Sequence, residues 1–289
     1  MFVFALGEPG NLNRVVSRRP LLISLWCAVA FVAAYVAFVH VPELRAADLR
    51  VLDGFMGLST LPGARFGDDI VLLFDPAPFA ALVLGIVVVA LLLGRPKAGL
   101  LAAGAMLAAN VSTQVLKPLL AIQRDFPLDH AMGPEAYPSG HTTAVMSFAL
   151  ALVIIAPPRL RALAATLGGV LTVVTVFSIM MLGWHYPSDI VGGLLVATFW
   201  ACLAVIPLRA ELRAPTLRAS ARAGAVLLGG VALLVLTRPA AAVDYAAANP
   251  TWVLGAVSIA AAALVLSGSV PAPTAARPRR RPGSPHARG

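Results

Sequence analysis

The hydrophobic residues of this chain fall into eight long runs that are separated by short polar segments. A helix needs about 20 mostly apolar residues to cross the hydrocarbon core of a bilayer. Runs that meet or approach this length occupy residues 21–41, 77–93, 98–116, 139–156, 162–183, 190–207, 223–237 and 251–269. The second and seventh runs are the shortest. The pattern predicts an all-α, polytopic transmembrane helix bundle of about eight spans.

The composition agrees with a protein that folds in lipid. Of the 289 residues, 59% are hydrophobic and 12% are charged, whereas a soluble domain has about 45–50% apolar and about 25% charged residues. So few charges would not cover a core of this size in water. The two cysteines, Cys27 and Cys202, lie inside apolar runs. They form no Cys/His cluster, so the sequence supports neither a zinc site nor a disulfide framework.

The basic residues indicate how the chain crosses the membrane. If the N-terminus is cytoplasmic and the spans alternate, the inner segments hold 16 of the 22 Lys and Arg residues and the outer segments hold six. Positive charge favours the cytoplasmic side, so we expect an integral protein of the cell (plasma) membrane with both termini inside. The net charge of +9 is accounted for by these loops and tails, and no nucleic-acid partner is expected.

The same pattern divides the chain into four segments. Residues 1–20 are expected to form a cytoplasmic N-terminal segment, and residues 21–207 the membrane core. Residues 208–269 would form a basic loop with two additional spans. Residues 270–289 are rich in Pro, Ala and Arg, which bury little apolar surface, and are expected to be a disordered basic tail in the cytoplasm.

The longest outer segment, from about residue 42 to residue 76, contains apolar residues at helical spacing. They are Leu49, Leu52, Phe55, Met56 and Leu58. The spacing predicts a helix. That helix either lies in the membrane interface, where it could shield a site as a lid, or packs as an ordinary loop helix.

Three clusters of polar residues meet the outer face under this topology. They occupy residues 117–124, 137–141 and 178–189. Each has a plain structural explanation, because Lys117 and Arg124 could be snorkelling anchors and Ser139 could be a helix N-cap. Taken together, however, two cations, two histidines, a carboxylate and a helix N-terminus on one face favour a site for an anionic ligand.

The order and spacing of these residues resemble the type 2 phosphatidic acid phosphatase superfamily, which also includes bacterial acid phosphatases and vanadium haloperoxidases. The family motifs are Lys-x6-Arg-Pro, then Pro-Ser-Gly-His, then Ser-Arg-x5-His-x3-Asp. This chain has Lys117-x6-Arg124, Pro138-Ser139-Gly140-His141 and Ser178-x6-His185-x3-Asp189. The resemblance implies a six-helix phosphatase-like core within residues 21–207 and a phosphatase that needs neither metal nor cofactor.

The resemblance also implies a phosphohistidine mechanism. His185 would attack phosphorus, Asp189 would orient the His185 ring, and His141 would protonate the leaving oxygen and then activate water. Residues expected to bind the phosphate oxygens are Lys117, Arg124, Ser139, Gly140 and Ser178. Such a site suits phosphoryl transfer, which depends mainly on positioning and on charge stabilisation.

Two positions depart from the family motifs. Asp125 stands where the first motif has proline, and Ile179 stands where the third motif has a phosphate-binding arginine. The loss of that arginine leaves Lys117 and Arg124 as the cations carried over by the resemblance. It predicts an activity that is lowered or redirected to an unusual substrate.

The expected substrate is a lipid phosphate or pyrophosphate, because the site lies at the level of the lipid headgroups. Candidates are a polyprenyl pyrophosphate, phosphatidate and phosphatidylglycerol phosphate, and an outer-face site slightly favours the polyprenyl carrier. Two alternatives are a catalytically weakened lipid-phosphate binder and a phospholipid transporter. A transporter would favour charged residues at mid-span, and the apolar runs contain none there.

Overall fold

The structure, a computed structural model, describes residues 9–59, 64–123, 133–208, 212–213, 221–222, 224–231, 239–270 and 272–273. The first helices are α1 (Pro9–His40), α2 (Pro42–Met56), α3 (Ala64–Leu72), α4 (Pro76–Leu92) and α5 (Pro96–Leu119). They are followed by α6 (Gly140–Ile155), α7 (Arg161–Met181), α8 (Pro187–Val205) and a 3-10 turn (Ile206–Leu208). The last helices are α9 (residues 224–231), α10 (Pro239–Ala248) and α11 (Pro250–Ser267).

These elements confirm the predicted all-α transmembrane fold. Every predicted span except the seventh coincides with one helix, namely α1, α4, α5, α6, α7, α8 or α11. Among the described residues, five helices are long and apolar enough to cross a membrane, and α4 and α6 are shorter apolar helices. Two-residue strands at Leu212–Arg213 and Ala272–Pro273 pair antiparallel.

The structure differs from the sequence-based prediction mainly near the two ends of the chain. Helix α1 begins at Pro9, well inside the segment assigned to residues 1–20. The seventh span is described as helix over residues 224–231, and residues 232–238 lie outside the described part. Helix α10 was not predicted, because its Ala-rich segment Pro239–Ala248 lacks an amphipathic pattern. The expected disorder of the tail concerns residues that lie largely outside the described ones.

The centre of the bundle is helix α6, which packs against α5, α7 and α8. Helix α5 approaches its neighbours through small residues, including Ala98, Gly99, Ala102, Ala103 and Ala109. Small residues let membrane helices pack closely, because lipid supplies no hydrophobic driving force between them. Helix α1 packs on α8 and exposes Leu22, Leu25 and Trp26, as expected of a lipid-facing helix.

Three of the connections expected to face the cytoplasm meet at one end of the bundle. Arg95 donates to the carbonyl oxygens of Ile155 and Ala156 at 2.6 and 2.5 Å. Lys97 Nζ donates to the carbonyl oxygen of Pro207 at 3.0 Å. The connections before α5, after α6 and after α8 therefore meet at this end, and the three motifs lie at the other.

Helix α2 supplies the helix predicted in the long outer segment, and it is packed into the bundle. Val51, Leu52 and Phe55 are buried. The Phe55 ring lies 4.9 Å from that of Phe177 on α7 and 5.8 Å from that of Trp252 on α11. Of the two interpretations of this segment, the packing favours an ordinary packed helix over one that lies free in the interface.

Candidate active site

The second motif forms the N-terminus of α6. Ser139 is the N-cap, and its Oγ accepts hydrogen bonds from Thr142 N at 3.3 Å and Thr142 Oγ1 at 3.0 Å. An N-cap serine satisfies a backbone N–H that has no partner within the helix. Gly140 and His141 then form the first turn, where the free N–H groups and the helix dipole favour an anion. Ser139 itself is fully buried.

The third motif is positioned by a tight turn between α7 and α8. Gly183 has a φ of 70°, a conformation that only glycine adopts without strain. Trp184 N donates to the carbonyl oxygen of Ile179 at 3.1 Å, which closes the end of α7. Pro187 begins α8 and has no N–H to leave unpaired. His185 thus lies in the turn and Asp189 in the first turn of α8.

Direct contact between the starts of α6 and α8 joins the second and third motifs. Ser139 N donates to the carbonyl oxygen of Asp189 at 3.0 Å. A Cβ atom on Gly193 would lie 2.7 Å from the carbonyl oxygen of Ser139, so only glycine allows this close approach. The backbone therefore brings His141 and His185 to the same end of the bundle, although 44 positions separate them in the numbering of the chain.

His185 and Asp189 form a buried pair. Nδ1 of His185 lies 3.5 Å from Oδ2 of Asp189, within ion-pair distance but without a well-formed hydrogen bond. The same Asp189 oxygen accepts from Tyr186 N at 3.0 Å, which fixes the carboxylate at the helix start. Burial lowers the pKa of His185 below its ordinary value of 6.5; Asp189 opposes this shift, whereas Lys117 and His141 add to it. His185 is therefore held neutral at physiological pH.

His141 lies between a carboxylate and an indole ring. Its Nε2 is 2.9 Å from Oδ1 of Asp75, the residue just before α4. The ring of Trp184, from the turn that carries His185, lies 5.6 Å away between centroids. The His141 side chain is partly exposed, whereas that of His185 is almost fully buried. The two histidines thus have different surroundings within one site.

The cationic part of the site is described only in part. Lys117 lies in the last turn of α5, close enough for its charge to act on His185. Arg124 and Asp125 lie outside the described residues. Ile179, at the position of the family arginine, is fully buried in the hydrophobic core. Ser178 is also buried and donates its hydroxyl proton to the carbonyl oxygen of Val174 at 2.9 Å.

Comparison with known proteins agrees with this arrangement. The family model of the PAP2 superfamily matches residues 98–211, a segment that contains all three motifs. We call the matched residues the PAP2 domain. The fold is similar to that of the transmembrane PAP2-type phosphatidylglycerolphosphate phosphatase from Bacillus subtilis, with a TM-score of 0.53, 22% sequence identity, and coverage of 65% of this chain and 94% of that one. No curated protein sequence matches the chain.

Two carboxylates outside the PAP2 domain contact it directly, and sequence reasoning missed both. Asp75 binds His141, as described above. Asp48 on α2 is buried and accepts hydrogen bonds from Ser188 N at 2.9 Å and Ser188 Oγ at 2.5 Å. Asp48 thus stabilises the start of α8, one residue before Asp189. Asp48 shares the buried face of α2 with Val51, Leu52 and Phe55, and no motif in the sequence marks it as a partner of Ser188.

The PAP2 domain also places an unassigned amide near the second motif. Gln114 on α5 lies one turn before Lys117, and its Nε2 is 3.6 Å from the position that a Cβ atom on Gly140 would occupy. Within the described residues, no group of three or more His, Cys, Asp or Glu side chains is arranged to hold a metal ion.

Proposed function

We propose that this protein is a membrane phosphatase that hydrolyses a lipid phosphate or pyrophosphate through a phosphohistidine intermediate on the non-cytoplasmic face. The observation that carries the proposal is the pairing of two histidines in different surroundings at one end of the bundle. His185 is buried against Asp189, and His141 is partly exposed at a helix N-terminus. A nucleophile and a proton donor need this kind of separation if they are to work together at one pH.

The first chemical step follows from the geometry at His185. Because Nδ1 faces Asp189, the other ring nitrogen, Nε2, is the nucleophile. It forms a bond to phosphorus while the bond from phosphorus to the leaving oxygen breaks, and His141 gives its proton to that oxygen. Asp189 stabilises the positive charge that develops on the His185 ring.

The second step returns the enzyme to its starting state. A water molecule attacks the phosphorus of the phosphohistidine, His141 takes the proton of that water, and Nε2 of His185 leaves. Inorganic phosphate is released, and His141 is again protonated. Lys117, Arg124 and the N–H groups at the start of α6 bind the non-bridging oxygens during both steps, because developing negative charge needs fixed positive partners.

A lipid substrate is supported by the depth of the site. The motifs lie where α5 and α7 end and where α6 and α8 begin. A lipid phosphate bound there has its phosphate at the level of the headgroups and its apolar chains among the helices. The charge distribution supports an outer position for this end and a cytoplasmic position for both termini. A polyprenyl pyrophosphate, phosphatidate and phosphatidylglycerol phosphate all fit this description, and the outer location favours the first.

One observation supports a second candidate, a lipid-phosphate binder with weak catalysis. Ile179 is buried in the core, so its position contributes no cation to the phosphate. Loss of one transition-state donor can cost about 10²–10³ in rate. That magnitude would slow the enzyme without abolishing its activity, because Lys117 and the α6 N-terminus remain. We therefore consider a phosphatase better supported than a lipid-phosphate binder.

The proposal is tested by phosphate release from a panel of the three lipid classes, with purified protein in mixed micelles and with EDTA present. We expect wild-type protein to release inorganic phosphate from at least one lipid, and we expect vanadate to inhibit it. His185→Ala should be inactive. His40→Ala is the matched control. His40 is exposed at the C-terminal end of α1, so its substitution should leave the rate unchanged.

Two results would reject the proposal. One is a wild-type protein that binds the lipids but releases no phosphate from any of them, which would support the weak binder. The other is His185→Ala protein that keeps the wild-type rate, which would remove His185 from the chemistry.

A further inference from the structure

The contact between Asp75 and His141 has a specific geometry. A carboxylate oxygen can only accept, so at 2.9 Å His141 Nε2 must carry the proton and donate it to Asp75 Oδ1. The proton that enters and leaves during catalysis therefore resides on Nδ1. The tautomer of a histidine is set in general by the hydrogen bond of its other nitrogen.

The sequence around Asp75 explains why its side chain is free to make this contact. Asp75 is the N-cap of α4, and an N-cap aspartate usually accepts from the N–H groups at the second or third helical position. Here the first and third positions are Pro76 and Pro78, which have no N–H. The Asp75 side chain makes no capping hydrogen bond in the structure. It is directed to His141 instead.

Apolar packing holds Asp75 in place beside α6. Phe74 is buried, and its ring lies 6.3 Å from that of Phe148. Phe148 is seven residues after His141 on α6, which places both side chains on the same face of the helix. The residue before Asp75 is thus fixed on the face that carries His141. This packing holds the contact between Asp75 and His141 in place.

We propose that Asp75 is the positioning residue of the general acid, which it holds with Nδ1 directed to the reaction and whose positive charge it stabilises. Asp75 acts through His141 and touches no reacting atom. His141 is close enough to act on the charge of His185, whose other charged neighbours are Asp189 and Lys117. Of the carboxylates that the structure describes here, Asp189 lies next to the nucleophile, His185, and Asp75 contacts the general acid, His141. The inference rests on the proposed phosphatase function.

The leaving group provides the test, because a general acid matters most when the leaving oxygen is strongly basic. Two substrates with the same alkyl chain are compared: an alkyl phosphate, and a nitrophenyl phosphate that carries the chain on its ring. General acid catalysis typically contributes about 10²–10⁴-fold. We expect Asp75→Ala to lower kcat/KM, which reports the first step, on the alkyl phosphate by about 10-fold or more, and on the nitrophenyl phosphate by less than about 3-fold, since a positioning residue supplies part of that range.

Graded variants separate the two contributions of Asp75. Asp75→Asn keeps an acceptor for Nε2–H but loses the charge, so its alkyl phosphate rate should lie between those of wild type and Asp75→Ala. Asp75→Glu should restore part of the rate. KM should change little, because Asp75 binds no phosphate oxygen. Asp69→Asn, which alters an exposed carboxylate on α3, is the control and should match wild type on both substrates.

Three outcomes would overturn the inference. Equal losses on both substrates would show that Asp75 only supports the fold. Unchanged rates would show that the contact is incidental, and faster turnover would show that Asp75 restrains the acid. The His185→Ala protein distinguishes these results from failure of the phosphatase proposal, because that failure would leave His185→Ala as active as wild type on both substrates.

Discussion

At the level of single residues, the proposed chemistry depends on placing two histidines of one site in different surroundings. The pKa of His185 is lowered, because the effect of burial is larger than the opposing effect of the neighbouring Asp189. His141 is more exposed and is held by Asp75. The two histidines therefore have the different environments that the proposed nucleophile and the proposed proton donor need at one pH.

This difference predicts how the acid limb of the pH profile will move in two variants. Protonation of His185 stops attack, so activity is lost as pH falls through its lowered pKa, below 6.5. Asp189 raises that pKa and Lys117 lowers it. In Asp189→Asn the acid limb of kcat/KM should move to lower pH, and in Lys117→Gln it should move to higher pH. Shifts in the same direction, or none, would contradict the electrostatic account of His185.

The candidate site residues could be named from the sequence, but their structural partners could not. His141, His185 and Asp189 could be named because their spacing along the chain matches the family motifs. Asp75 and Asp48 could not, because each reaches the site from another helix, and no spacing along the chain connects residue 75 with residue 141. The departure from the family motif at Ile179 was visible in the sequence, and its effect on activity stays a prediction. That its side chain packs in the core required the structure.

At the level of helices, the packing of α2 on α11 links the C-terminal part of the chain to the site. Tyr245 donates its hydroxyl proton to the carbonyl oxygen of Gly54, and Gly255 lies against Val51. Helix α2 in turn supplies Asp48 to the start of α8. We infer that α10 and α11, which lie outside the PAP2 domain, hold α2 in the position that Asp48 requires.

A pair of substitutions tests this contact. A Cβ atom on Gly255 would lie 2.5 Å from both methyl carbons of Val51, and overpacking of this kind costs about 1–3 kcal/mol. Gly255→Ala should lower the thermal stability of the purified protein and its phosphatase rate. Adding Val51→Ala should recover part of both, because the smaller side chain makes room for the new methyl group.

The control is Gly104→Ala on α5, where a Cβ atom would meet open space and thermal stability should not fall. If the losses in Gly255→Ala and Val51→Ala simply add in the double variant, the two residues do not compete for one space, and the proposed role of the contact would be wrong.

Helix existence could be predicted from hydrophobic run length, because the bilayer sets the length of a span. Helix α2 followed from its periodic apolar residues. Helix α10 did not, since an Ala-rich segment between two spans has no apolar face to detect. The partners of α2 were also beyond the pattern, because packing on α7 and α11 depends on glycines and aromatic rings that are far apart in the chain.

At the level of the whole molecule, the bundle has one basic end and one end that carries the site. Arg95, Lys97 and Arg161 cluster around the carbonyl ends of α6 and α8. The motifs lie at the opposite end. The positive-inside rule favours an outward orientation of the site, as the proposed function requires.

Labelling of single cysteines tests this orientation in intact cells. Glu135 is exposed at the end that carries the site, and Arg159 is exposed at the basic end. A thiol reagent that cannot cross the membrane should modify Glu135→Cys and leave Arg159→Cys unmodified. The native cysteines, Cys27 and Cys202, are fully buried and serve as the unlabelled background. The reverse pattern would place the site in the cytoplasm.

The central claim is that the phosphoryl group passes through His185, and trapping of the phosphoenzyme tests it most directly. Purified protein is mixed with a lipid phosphate labelled on phosphorus, quenched in alkali, which preserves phosphohistidine, and digested to locate the label. We predict label on His185 in wild type, more label in His141→Ala with a good leaving group, and none in His185→Ala. Turnover without label at residue 185, or label that persists in His185→Ala, would contradict the account.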